Sequence, residues 1–361
     1  MHSLKILFAL TAATALTACG GGGGSPPPSP TPTPAPAPAP APTPPAPAPG
    51  VGTNGTLQTS VPAANYPDQR RTNAFNQLNA VRQGAGAGLL AQSAALDASA
   101  SHHTKYLSDY GYNTSDSPHD ESTASTYSAD YTGANPFTRM NAQGYDYSYA
   151  TEVIGDIGSS SSSSDCVGDL LDTVYHAASM LSRVTDVGFG YGTGSAAGMC
   201  TIDMASPLNG GFSLQIPPSG AIVAYPYDGS TVAHGTFHAS NESPRVSISL
   251  IPTSDAGVPI VVGFRNQDVV AGGVVSISQF SLATSGGTAV PGVILGATAS
   301  GSQAAVGGDN VNADPNLDTS FAVFVPKAPL AAGTYRVTLH ATVTGGQAIA
   351  LTTWTFTVAA P

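Results

Sequence analysis

Charge is scarce in this 361-residue chain: 9% of its residues are Asp, Glu, Lys or Arg, and only 11 are Lys or Arg. So few cations cannot tile a surface against a phosphate backbone, and a net charge of −11 repels one, so nucleic acid is excluded as a partner. No apolar run reaches the roughly 20 residues of a membrane-spanning helix. Three cysteines are too few for a zinc-binding quartet or a disulfide-rich scaffold. There is no G-x-S-x-G, no phosphate-binding glycine loop and no H-E-x-x-H, which removes the common signatures of serine hydrolases, nucleotide-binding enzymes and zinc peptidases.

Glycine (41) and proline (30) are abundant instead, and many lie near the N-terminus. Met1–Lys5 carries one basic residue, Ile6–Leu16 is apolar, and small residues follow. The sequence Leu16-Thr17-Ala18-Cys19-Gly20 resembles the lipobox of bacterial lipoproteins. That resemblance implies a signal peptide over residues 1–18, cleavage before Cys19, and acylation of the Cys19 thiol and amino group. Gly20 after the cysteine implies the outer membrane or cell surface. The expected partner is thus a membrane, held through a lipid rather than a span. Residues 19–61 are Gly- and Pro-rich and are expected to form a disordered stalk. At ~3.1 Å per residue, Pro26–Pro49 would extend on the order of 70 Å as polyproline II. In an oxidising envelope, Cys166 and Cys200 are expected to pair.

The remainder divides in two. From 62 to 218, helical signals precede strand signals. Asp68 can cap a helix through Gln83 with Phe75, Leu78 and Val81 inward, and a second helix over about 93–109 aligns Leu96, Ala100, His103 and Leu107. A polar, tyrosine-rich loop region is expected to follow, an irregular cover between 111 and 158. Asp165 can cap a third helix, in which Val167, Leu170, Leu171, Val174, Ala178 and Leu181 form one apolar stripe. Strands are expected at 187–191, 199–204 and 211–216. From 219 to 361, short alternating segments such as GTYRVTLHATV and TTWTFTV predict about seven strands in an immunoglobulin-like sandwich. The fold class expected is α+β: an α–β–α sandwich followed by an all-β sandwich.

Chemistry-bearing side chains gather in the first of these regions: His103, His119, Glu121, Glu152, Asp169, Asp172 and His176. Continuous helical spacing places Asp169 and Asp172 on the face of His176, with Asp172 one turn before it and able to orient its ring. Two imidazoles with one or two carboxylates suit a divalent ion such as zinc, with His119 and His176 as its ligands. His103 sits on an apolar stripe near Tyr106 and reads as a core histidine; His102 reads as exposed. Tyr127, Tyr131 and the YDYSY segment (145–149) could line a groove or simply pack locally.

Taken together, RRTNAFNQLNAVRQGAGAGLLAQSAALDASASHHTKYL, SPHDE, Tyr131-Thr132-Gly133 with Arg139, ATEVIG, and TVYHAASML followed by VGFGYG resemble bacterial members of the CAP superfamily. That group comprises the cysteine-rich secretory, antigen 5 and pathogenesis-related 1 proteins. The resemblance covers roughly residues 65–205 and implies an α–β–α fold with a cleft of two histidines and two acids. Residue by residue, His119 matches the first histidine, Glu152 the first glutamate and His176 the second histidine. The second acid falls near Thr173, where Asp169, Asp172 or Glu121 would have to substitute. Three readings follow. The first is a surface-anchored binding module for a divalent metal, lipid, glycan or protein, with the β-sandwich as spacer. The second is a metal-assisted or acid–base hydrolase, and the third a structural envelope protein.

Overall fold

The computed structural model describes residues 57–110, 117–121, 131–156, 165–193, 198–208, 214–218, 220–239, 242–246, 249–251, 255–264, 274–298, 306–308, 310–318, 320–343, 347–348 and 353–360. The lipobox-like segment, most of the stalk and Tyr127 lie outside them. Helix α1 (Gln69–Ala85) starts where Asp68 accepts a hydrogen bond from the Arg71 amide, and ends where Gly86 takes a left-handed φ of 81°. Strand β1 (Ala91–Gln92) and helix α2 (Ala94–Tyr110) follow.

The region expected to be irregular cover is partly regular. It contains α3 (Pro136–Ala142), opened by an Asn135–Thr138 capping box, and the ten-residue strand β2 (Tyr147–Asp156). After it come α4 (Cys166–Leu171), α5 (Tyr175–Met180), β3 (Asp186–Tyr191) and β4 (Met199–Pro207). The expected strand at 211–216 is not one over its described residues 214–216. Gln215 there donates to the carbonyls of Leu89 (2.8 Å) and Val184 (2.7 Å), acting as a side-chain tie between loops.

The sheet runs β1-β3-β4-β2, with β2 at an edge. Alternation assigns its two faces. Val187, Phe189, Cys200, Ile202, Met204 and Val153 join α1, α4 and α5 in one apolar core. Gly188 and Gly190 face α2 so closely that an added Cβ would sit 2.1 Å from the Leu96 carbonyl carbon and 2.2 Å from the Ala100 oxygen. Glu152 and Asp203, directly opposite each other in the β2–β4 pair, share that α2 face. The Cys166–Cys200 disulfide ties α4 to β4, as expected.

The third helix is two helices. The stripe from Val167 to Leu181 is buried as its periodicity predicts. The backbone, however, breaks at 172–174, between α4 and α5. Thr173 turns its hydroxyl onto the Leu170 carbonyl (2.8 Å), the local competition that makes Thr a poor helix-interior residue.

From 220 onward the described chain is β-rich, with more and shorter strands than expected. In one sheet Val275–Thr284, Gly333–Val343 and Thr353–Val358 form the centre, with Val337 opposite Trp354 and Tyr335 opposite Phe356. A second sheet orders Val311–Asp314, Gly292–Ala297, Phe321–Pro326, Ile260–Phe264 and Ile222–Tyr225. Trp354 is buried and its indole N–H reaches the Pro226 carbonyl at 2.8 Å. Apolar packing is continuous across residue 219: the core holding α1, α4 and α5 extends into both β sheets.

Candidate ligand cleft

The α2 face of the sheet carries a buried polar cluster built from four elements. His103 comes from α2, Arg139 from α3, Glu152 from β2, and His119 with Glu121 from the segment 117–121. Arg139 is fully buried, and its guanidinium grips both oxygens of Glu152, at 2.9 and 2.8 Å. Its other terminal nitrogen donates to the His119 carbonyl (3.0 Å) and lies 3.7 Å from Glu121. Two charge-assisted bonds from one guanidinium nitrogen fix both the charge and the orientation of the carboxylate.

His119 completes the outer edge of the cluster. Its Nδ1 is 2.8 Å from Glu152, and its side chain is 26% exposed, so the ring is oriented from inside and open from outside. Burial pushes the Glu152 carboxyl up, but His103, the His119 hydrogen bond and Arg139 outweigh it, and the group is held below the usual carboxylate range. Asp203, fully buried beside it, is pushed well above that range by burial and by the charge of Glu152. His103 is a core histidine, stacked with Tyr106, but not an idle one: Nδ1 meets Glu121 at 2.6 Å and Nε2 the Pro118 carbonyl at 3.0 Å. Glu121 is therefore an inner partner of His103, not a member of the open site.

An open cleft of about 360 Å³ lies over this cluster, lined by His119, Asp120, Asn135, Pro136, Phe137, Ala150, Thr151 and Glu152. Phe137 is 43% exposed at its lip and packs on Tyr147 at 5.6 Å. The other tyrosines of the YDYSY segment are structural. Tyr145 donates to Asp186 (2.6 Å) and Tyr149 to Asp318 of the β-rich half (2.5 Å).

His176 stands apart from that lining. Helix α5 packs on the opposite face of edge strand β2, and His176 lies close enough to feel the charge of His119. Burial, then that charge, pushes its imidazole down to about 4. Asp172 and Asp169 do not orient it, contrary to the expectation from a continuous helix. The break at 172–174 rotates α5 out of phase, and Asp172 pairs with His234 of the β-rich half at 3.2 Å. Asp169 is placed among the charges of Asp165 and His234.

The partners of His176 are Thr173, whose hydroxyl is 3.0 Å from Nδ1, and Glu242, whose carboxylate is 3.8 Å from Nδ1. Glu242 lies in the ESPR segment of the β-rich half, and its oxygens accept from the amides of Tyr175 (2.6 Å) and Val174 (3.1 Å), capping α5 from there. Burial pushes it up to about 7 against these hydrogen bonds.

Zinc on His119 and His176 requires donors that are free to coordinate. Here Nδ1 of His119 and both oxygens of Glu152 are taken, and Arg139 sets a fixed positive charge behind them. Among the described residues, no group of three or more His, Cys, Asp or Glu is arranged to hold a metal ion. Glu152 is thus committed within the cluster, while Nε2 of His119 and Nε2 of His176 carry no hydrogen bond among the described residues.

Residues 75–204 match the family model described as the cysteine-rich secretory protein family, CAP. The chain carries a CAP domain. Three solved structures show weaker likeness. An extracellular SCP-domain protein from Bacillus anthracis aligns at 19% identity and a TM-score of 0.31, over 41% of this chain and 46% of its own. CopC from Methylosinus trichosporium aligns at 15% identity and 0.20, over 38% of this chain and 89% of its own. The copper resistance protein PcoC from Escherichia coli aligns at 19% identity and 0.20, over 37% and 94%. The alignment thus spans less than half of the Bacillus protein. No curated protein matches. The matched segment contains Glu121, Arg139, Glu152, Asp169, Asp172 and His176, so the CAP domain holds the cleft and its buried cluster.

Proposed function

We propose that this protein is an exported, lipid-anchored binding module whose CAP cleft takes a polyhydroxylated ligand, a glycan. One observation carries the reading: the exposed ring of Phe137 stands at the lip of a cleft whose walls offer Asn135, Thr151, Asp120 and the His119–Glu152 pair. A sugar has an apolar ring face for the phenyl group and hydroxyls for the polar groups around it. A cation would meet Arg139 behind the carboxylate, and a lipid tail would find an open, partly polar cleft in place of an enclosed apolar one. Export and anchoring rest on the lipobox-like residues 16–20 and on the secretory description of the family. Cys19→Ser should therefore release the protein from the membrane fraction.

The His119–Glu152 pair favours a second reading, hydrolysis with His119 as general base. One experiment separates them: glycan-array binding of the purified protein, followed by calorimetry and by mass spectrometry of the saccharides it selects. The binding reading expects a selected saccharide, intact after incubation, with affinity lowered at least tenfold by Phe137→Ala. Cleaved product lost in His119→Ala would favour hydrolysis. No saccharide bound, or affinity unmoved by Phe137→Ala, would overturn the glycan reading.

A further inference from the structure

Thr173 has one hydroxyl proton and three polar neighbours. Two of them can only accept: the Leu170 carbonyl at 2.8 Å, and the ionised carboxylate of Glu242, which Thr173 stabilises. Whichever receives the proton, the Thr173 oxygen can only accept from the third neighbour, Nδ1 of His176, at 3.0 Å. Nδ1 must then carry the hydrogen. Glu242, 3.8 Å from the same nitrogen and almost fully buried, attracts that N–H further. It is held there by the amides of Val174 and Tyr175, while Tyr175 donates its hydroxyl to Asp314 at 2.8 Å. The β-rich half therefore clamps the short helix that carries His176 at two points.

We infer that Glu242 and Thr173 fix His176 as its Nδ1–H tautomer, leaving Nε2 as an unprotonated hydrogen-bond acceptor. Glu242 is a positioning residue for this imidazole, supplied by the β-rich half, which is then more than a spacer. Nε2 has no hydrogen-bond partner among the described residues. The tautomer matters because the hydrogen bond at one ring nitrogen decides what the other can do.

Nitrogen-15 spectra of the histidine rings of the full folded chain test this, at pH 8, where Glu242 is ionised. The His176 signals are assigned by their loss in His176→Gln. The wild type should show a single Nδ1–H tautomer for His176. Thr173→Ser, which keeps the hydroxyl, should preserve it. Thr173→Val and Glu242→Gln should each move population toward Nε2–H, with the variants' cooperative thermal unfolding showing that they remain folded. An Nε2–H ring in the wild type, or a ring unmoved by Thr173→Val, overturns the assignment. A ring unmoved by Glu242→Gln alone overturns the role of Glu242. The spectra need no ligand, so failure of the glycan reading and failure of this inference are separate results.

Discussion

Replacing Arg139 by methionine removes a guanidinium but keeps much of its volume. What remains is the Glu152 carboxylate, buried and stripped of the two hydrogen bonds at 2.9 and 2.8 Å that neutralise it. Leaving one member of a buried ion pair behind costs about 3–5 kcal/mol, whereas replacing both members by apolar groups is often close to neutral. Arg139→Met should therefore lower stability at pH 7.5 by about 3–5 kcal/mol, and Arg139→Met/Glu152→Met should recover more than half of that loss. The pH dependence has a definite sign. In the wild type the folded pKa of Glu152 lies below its unfolded value, so its contribution is present above the ordinary carboxylate pKa and lost on acidification. Without Arg139, burial is opposed only by the two histidines, and the folded pKa rises. Acid then relieves the variant, and the two proteins should converge in stability as pH falls from 7.5 to 4.5. Urea titrations followed by circular dichroism at both values measure this. A single-variant cost below about 1 kcal/mol, or a gap that widens at pH 4.5, would refute the reasoning.

Other expectations can be checked on the same footing. Removing the Cys166–Cys200 bridge, whose ends are 34 residues apart, should cost about 3–4 kcal/mol in the chain-entropy model; equal urea midpoints for oxidised and reduced protein would contradict it. Gly190→Ala forces a Cβ to 2.2 Å from the Ala100 oxygen, backbone against backbone, so it should cost about 1–3 kcal/mol or more, whereas Gly307→Ala, with nothing within 4 Å, should be mild. Glu242 is buried with its pKa raised to about 7 from 4.5, so between those values the folded state holds a proton the unfolded state has released. Wild-type stability relative to Glu242→Gln should then fall as pH rises through that window, by on the order of 3 kcal/mol; a difference that stays flat across melting curves from pH 4 to 8 would exclude it.

Much of the layered frame was legible because local rules and burial agreed. Asp68 caps α1 and Gly86 closes it, the stripe of α2 is buried, and Trp354 and Phe356 point inward as their alternation requires. His119 and Glu152 do meet. The strand that carries Glu152 was less legible, because Tyr147–Asp156 mixes Tyr, Ser, Thr, Glu and Gly on an edge where one side needs no apolar residue. Arg139 was readable as part of a family pattern but not as the partner of Glu152. Its role depends on α3 packing over a strand more than ten residues further along.

The fate of His176 shows where one-dimensional reading stops. From Val167 to Leu181 the apolar spacing is that of one uninterrupted helix, and burial honours it, so periodicity alone could not register a break. A helix end needs partners for its free amides. Val174, the N-cap residue of α5, provides no side-chain hydrogen bond for them. The partner is Glu242, 68 residues from Val174, in a segment whose Ser-Pro content looks like nothing more than a turn. With that carboxylate in place, ending α4 at Leu171 and restarting at Tyr175 leaves no buried amide unpaired at Val174 or Tyr175. The same displacement sends Asp172 to His234 and gives His176 to Thr173. A change of partner for one histidine was thus decided by a tertiary cap, and a cap supplied from so far along the chain has no local signature.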